Sequence, residues 1–125
     1  MKRVVVTGLG VLTPVGHTIK EFWDNLTAGR SGVGKISRFD VSAYDCQIAG
    51  EVKGFDPSKV LDKKEARRAD LFEQYALAAT SQALAEAGLD SSKINPERIG
   101  VVLGSGIGGI DTFERQHKAL LSGGP

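Results

Sequence analysis

The chain has 125 residues, 41% of them hydrophobic and 25% charged, with a net charge of +1. That is enough for one domain with a core, and the composition argues against disorder. The near-neutral balance excludes a polycationic nucleic-acid binder, and no apolar run approaches membrane-spanning length. In chain order, Arg3 to Thr7 centres on Val4, Val5 and Val6 and ends at Gly8, which predicts a strand buried on both faces. Residues 8–16 form a loop, because Pro14 and Gly16 forbid a helix. Thr18 caps a predicted helix from Ile19 to Ala28, with Phe22, Trp23 and Leu26 at helical spacing and Gly29 as its stop.

Arg30 to Tyr44 reads as irregular, and Gln47 to Val52 as a short edge strand. Asp56 and Pro57 open a helical turn that runs to Leu61. Asp62 to Leu89 then reads as one long helix. Asp62 and Glu65 make a capping box at its start, and Gly88 offers a left-handed stop with Leu89 behind it. From Tyr75 to Ala87 it is apolar or small almost all round, with only Gln82 and Glu86 as long polar side chains, so burial on most sides is expected. Its first half carries Lys63, Lys64, Arg67 and Arg68. Cations near a helix N-terminus oppose the macrodipole. They form either a solvated entry turn, offset by Glu65, Asp70 and Glu73, or a docking patch for an acidic partner. Leu89 to Arg98 is a polar connection with a turn at Asn95-Pro96. Ile99 to Leu103 is a second predicted buried strand, Asp111 to Leu121 a final helix, and Ser122 to Pro125 a loop. Helices alternating with buried strands argue an α/β class. Two or three strands leave apolar faces uncovered, so the expectation is the front part of a larger domain.

Few residues suggest chemistry. Gly104-Ser-Gly-Ile-Gly-Gly109 satisfies the dinucleotide spacing G-x-G-x-x-G between a predicted strand and a predicted helix. Its late position leaves no room before Pro125 for a second strand and a ribose-binding acid, so glycines that let a strand end pack tightly are the better reading. A nucleotide-binding module stays the lesser alternative. Cys46, the single cysteine, excludes an internal disulfide and fits a reducing cytosol. It has no nearby His or helix start to activate it and reads as an inert thiol. His17 and His117 have no metal-ligand spacing, and no nucleophile elbow or carboxylate pair stands out. No leader peptide is read in residues 1–10, and no internal repeat is present.

Order along the chain adds a resemblance. Val4-Val-Val-Thr-Gly-Leu-Gly-Val-Leu-Thr-Pro-Val-Gly16, Phe22-Trp23, Leu26 through Gly29, Ser31-Gly32, Arg38-Phe39-Asp40, Ala49-Gly50, Lys64-Glu65-x-Arg67-Arg68-x-Asp70, the Gly104–Gly109 segment and Gly123-Gly-Pro125 together resemble the β-ketoacyl-acyl carrier protein synthases, the condensing enzymes of the thiolase-like superfamily. The spacing is most similar to the elongating type II synthases of fatty acid synthesis, with polyketide ketosynthases of the same family next. The resemblance implies a five-layer α-β-α-β-α fold, of which residues 1–125 are the front of the N-terminal half, incomplete as a domain. It implies a homodimeric cytoplasmic acyltransferase without cofactor or metal, acting by decarboxylative Claisen condensation. A Cys nucleophile and two His residues are implied beyond residue 125, so no catalytic residue is assigned in this chain. Acyl carrier protein is the implied partner, with no nucleic acid and no membrane. Lys64, Arg67 and Arg68 match the basic patch where such synthases meet that protein's acidic helix, and Ile107 matches a residue near the acyl pocket at the dimer interface. A non-catalytic carrier-binding fragment is a further alternative.

Overall fold

The computed structural model describes residues 2–90 and 92–124. Met1, Ser91 within the predicted polar connection, and Pro125 at the end of the predicted terminal loop lie outside them. The first regular element is helix α1, Ile19–Thr27. Thr18 caps it as expected, its hydroxyl accepting from the Glu21 N–H at 3.2 Å. Ala28 is the last cap, and Gly29 follows in the left-handed region at φ +69°. Phe22 is half-buried and Trp23 and Leu26 are exposed.

Strand β1, Val33–Lys35, pairs antiparallel with β2, Ile48–Gly50, in the register Val33 with Gly50, Gly34 with Ala49 and Lys35 with Ile48. The second strand falls where an edge strand was expected. The first corrects the irregular reading of Arg30 to Tyr44, because Val33-Gly-Lys holds one apolar residue and gives no alternation to read. Beyond the ribbon, Glu51 closes the end. Its carboxylate accepts from the Ser37 backbone N–H at 3.0 and 3.2 Å and from the Ser37 hydroxyl at 2.8 Å. Pro14 of the first loop seats against this ribbon, since a Cβ on Gly32 would fall 2.7 Å from the Pro14 Cβ.

The Ser37 N–H, followed by its hydroxyl, holds the Glu51 carboxyl below the usual glutamate range. A carboxyl lowered by folding adds stability that is present above its unfolded value, about 4.3, and is lost as pH falls through the folded value. Glu51→Gln keeps the shape and removes the charge. It is expected to lower the thermal midpoint at pH 7, with the difference from the parent shrinking as pH falls below the usual glutamate range and through the lowered folded value. A deficit that persists at acid pH would show that lost packing, not the charged acceptor, carries the effect.

The expected turn at Asp56-Pro57 is a 3₁₀ turn, Pro57–Lys59, that packs on the two helices after it. The expected single helix from Asp62 to Leu89 is two. Helix α2 spans Lys63–Ala66 and α3 spans Leu71–Ala87. The Asp62 and Glu65 capping box is present, with Asp62 accepting from the Lys64 and Glu65 N–H groups and Glu65 from the Asp62 N–H. A second start signal eight residues later ends the first helix: Asp70 is extended at φ −67° and ψ 160°, and its N–H is taken by the Glu73 carboxylate at 2.8 Å. Gln74, only 8% exposed, fills the break by donating from Nε2 to the carbonyls of Ala66 and Ala69 at 3.0 and 2.8 Å. At the far end Gly88 takes φ +62°, and the Leu89 N–H reaches back to the Leu84 carbonyl at 3.2 Å.

Helix α3 is the scaffold of the first loop, which bears on it through small residues. A Cβ on Gly8 would lie 2.2 Å from the Ala83 carbonyl oxygen, and one on Gly10 1.8 Å from that of Ala79. The two long polar side chains singled out in the apolar half now have a use. Glu86 accepts from the Leu9 N–H. Gln82 accepts from the Val11 N–H at 3.4 Å and donates to the His17 carbonyl at 2.7 Å, so one amide brackets the loop. Phe55 meets Tyr75 edge to face, and Arg38 donates to the Tyr75 hydroxyl at 2.9 Å. Burial on most sides is not found: among described residues of α3 only Gln74 and Ala78 are fully buried, and Leu77 and Leu84 are exposed.

The two predicted buried strands are also corrected. Residues 3–7 and 99–103 have no strand partner among the described residues, and Val4 and Val102 are 91% and 96% exposed. Their β-branched composition suits a strand, but a strand is made by the neighbours that take its N–H and C=O groups. Asn95 caps a 3₁₀ turn, Pro96–Arg98, as its turn signal predicts. The last helix, α4, spans Ile110–Gly123, slightly longer than expected.

Candidate functional site

The predicted basic patch lies on α2 and the turn after it. Arg67 is the last cap of α2 and keeps helical dihedrals, φ −76° and ψ −19°, and the Ala69 N–H still reaches the Glu65 carbonyl at 2.9 Å. Lys64 and Arg67, three apart on one turn, therefore share a side. Lys64, Arg67 and Arg68 are all exposed, and among the described residues none of their side chains enters an ion pair. Three solvated cations with no internal partner form a surface available to an anionic one. The break also changes their electrostatic setting, since Arg67 ends one helix and does not stand inside the first turns of another. Gln74 fixes this geometry from beneath.

The Gly-rich segment sits close by. Ser105 Oγ accepts from the Gly108 N–H at 3.0 Å, Gly108 is left-handed at φ +81°, and Gly109 is the first cap of α4. Asp70 reaches this segment: its Oδ1 accepts from Thr112 Oγ1 at 2.6 Å. The segment is not preceded by a strand, so the dinucleotide context is missing. Ile107 is 80% exposed and lines neither of two clefts nearby in the fold.

One cleft, of about 620 Å³, runs between Phe72, Tyr75, Ala76 and Ala79 of α3 and the segment Leu103–Ser105, and its walls are largely apolar. The other, about 320 Å³, lies between His17, Glu21, Phe55, Lys59 and Gln82. Most of its polar groups are already engaged, with Glu21 on the His17 N–H and Gln82 on the His17 carbonyl. Cys46 is exposed, with its thiol 3.5 Å from the Ile48 carbonyl. His117 stacks on Phe113 within α4. Among the described residues no three His, Cys, Asp or Glu side chains gather as a metal site, and no helix is long and apolar enough to cross a membrane.

The arrangement of helices around one small ribbon has close counterparts in solved structures. A β-ketoacyl synthase from Burkholderia phymatum STM815 superposes with a TM-score of 0.78 at 31% identity, over 98% of this chain and 31% of that one. A type II polyketide acyl-carrier protein in complex with its ketosynthase, bound to the hexaketide, gives a TM-score of 0.75 at 26% identity, over 99% of this chain and 32% of that one. The chain thus has the N-terminal part of the thiolase-like condensing-enzyme fold.

Sequence comparison narrows this class. Residues 1–123 match the β-ketoacyl synthase N-terminal domain, and the chain belongs to that family. It is 48% identical over 124 residues to the 3-oxoacyl-acyl-carrier-protein synthase 2 of Synechocystis sp., covering 99% of this chain. The chain spans about 30% of the length of the curated relatives it matches.

Proposed function

We propose that these residues are the N-terminal part of a longer synthase domain that elongates fatty acyl chains on acyl carrier protein. The identity of 48% to a 3-oxoacyl-acyl-carrier-protein synthase 2, sustained across nearly the whole chain, carries this reading. The reaction is decarboxylative condensation. An acyl group passes from its carrier thioester to a Cys thiolate, releasing the carrier thiol; malonyl-carrier protein loses CO₂, and the resulting carbanion attacks the acyl-Cys thioester, freeing the thiolate and leaving a 3-oxoacyl chain two carbons longer on the carrier. The Cys and two His residues of that chemistry are assigned beyond residue 125.

In this reading the present residues recognise and position. Lys64, Arg67 and Arg68 receive the acidic helix of acyl carrier protein, supported by their exposure and by the absence of ion pairs to them among the described residues. Ile107 faces the acyl chain at a homodimer interface, supported by its exposure on a loop of small residues. The bare runs at residues 3–7 and 99–103 are covered by the rest of a five-layer domain, and the enzyme works in the cytoplasm. A polyketide ketosynthase is the second reading, favoured by the likeness to the hexaketide-bound ketosynthase.

The test is condensation by the full-length protein with malonyl-carrier protein and saturated acyl primers of graded length. One 3-oxoacyl product and one CO₂ per turnover are expected. Condensation of polyketide intermediates with none of saturated primers would move the assignment to the second reading. The same assay examines Ile107→Phe. The larger ring is expected to shorten the longest primer accepted, cutting turnover of long primers about tenfold or more, with short ones little changed, because overpacking matters only where the chain passes. An unchanged length profile would remove Ile107 from the pocket.

A further inference from the structure

Asp70 stands where the basic turn and the Gly-rich loop meet. It follows Arg68 by two residues and precedes the first residue of α3. Its Oδ1 accepts from Thr112 Oγ1 at 2.6 Å, across 42 residues of sequence and in a half-buried setting. Its Oδ2 lies 2.4 Å from the place a Cβ on Gly109 would occupy, so the carboxylate rests directly on loop backbone. Phe72, two residues on, lies 3.9 Å from the corresponding place at Gly108. A hydroxyl bonded to a carboxylate at this distance is of the strong, charge-assisted kind. The carboxylate also sits at the start of α4, where negative charge is favoured and where Gly109 supplies no side-chain cap.

Four of the six residues from Gly104 to Gly109 are glycines, so the loop has many conformations to lose. Anchoring its end to Asp70 reduces them and fixes where Ile107 stands relative to Arg67 and Arg68. We propose that Asp70 is a positioning residue that, through Thr112, holds the acyl-selecting loop in register with the carrier-docking turn, so that the two readings above, on which this inference rests, are mechanically linked. Carrier binding at the turn then favours the loop conformation that admits the acyl chain.

The test uses the full-length synthase with Thr112→Val, which keeps shape and loses the hydroxyl, Thr112→Ser, which keeps the hydroxyl, Asp70→Ala, and the Asp70→Ala/Thr112→Val pair. Two quantities are read: affinity for acyl carrier protein, and the ratio of kcat/KM for long against short primers. Thr112→Val is expected to weaken carrier affinity and to shift the length ratio, each about 3- to 10-fold, although Thr112 is outside the basic patch; the double variant should be no worse than Asp70→Ala alone. Thr112→Ser should match the parent. A lower thermal midpoint with both quantities unchanged would reduce the contact to a structural tie and overturn the proposal, as would additive effects in the pair. Failure of docking itself is separate: it would appear as carrier affinity insensitive to charge reversal at Lys64, Arg67 and Arg68.

Discussion

Gly10→Ala in the full-length protein is expected to lower the thermal midpoint by several degrees and to reduce soluble yield. The added Cβ would begin 1.8 Å from the Ala79 carbonyl oxygen and 2.9 Å from the Ala83 backbone nitrogen, both in the middle of α3. Neither atom belongs to a side chain that can rotate away, so the loop must lift by more than an ångström. Lifting it draws the Val11 N–H from Gln82 and the Leu9 N–H from Glu86. Overpacking typically costs about 1–3 kcal/mol, and loss of loop hydrogen bonds places this case at the upper end. Gly34→Ala is the control. It stands in β1 with negative φ and nothing within 4 Å of its added carbon, and should be near neutral. Equal midpoints for the two variants would mean that the first loop is not seated on α3.

Reversal of Lys64, Arg67 and Arg68 together to Glu should have the largest effect on carrier-dependent turnover. Single exposed pairs contribute on the order of 0.2–1 kcal/mol, so one Ala substitution weakens docking only a few-fold. Steering, however, sums over the patch, and reversing three charges turns attraction into repulsion. A fall of roughly 10- to 100-fold in association rate is expected at low salt. It should shrink as ionic strength rises and be small with a short thioester donor lacking the protein. All three side chains are exposed and free of internal ion pairs among the described residues, so reversal should not unseat the fold. Equal loss with both donors would dismiss the patch reading.

Local signals proved legible where a few neighbouring atoms decide the outcome. Thr18, Asp62, Asn95 and Gly88 do what their chemistry predicts. Gln82 and Glu86 stood out as the only long polar groups on an apolar stretch, and both bond to loop backbone. The helix break was written in the same code: Asp70-x-x-Glu73 repeats Asp62-x-x-Glu65. High helix propensity across residues 62–89 masks it. The basic patch could be named from sequence, whereas the Asp70–Thr112 bond could not, because 42 residues separate its ends. Strands at residues 3–7 and 99–103 were expected from side-chain type alone, yet pairing belongs to neighbours and not to the run itself.

The tether between the first loop and α3 also sets a schedule. Leu9 finds its partner 77 residues later, and His17 65 residues later. At ribosomal speeds of about 5–20 residues per second, the opening segment waits roughly 3–15 s for its seat to be made. Seating the loop does not itself cover the Val4-Val-Val6 run, which stays 60–91% exposed with the loop in place and is short, β-branched and uncharged, the kind of segment that associates with others like it. Lys2 and Arg3 stand immediately before it, where flanking charge works against such association.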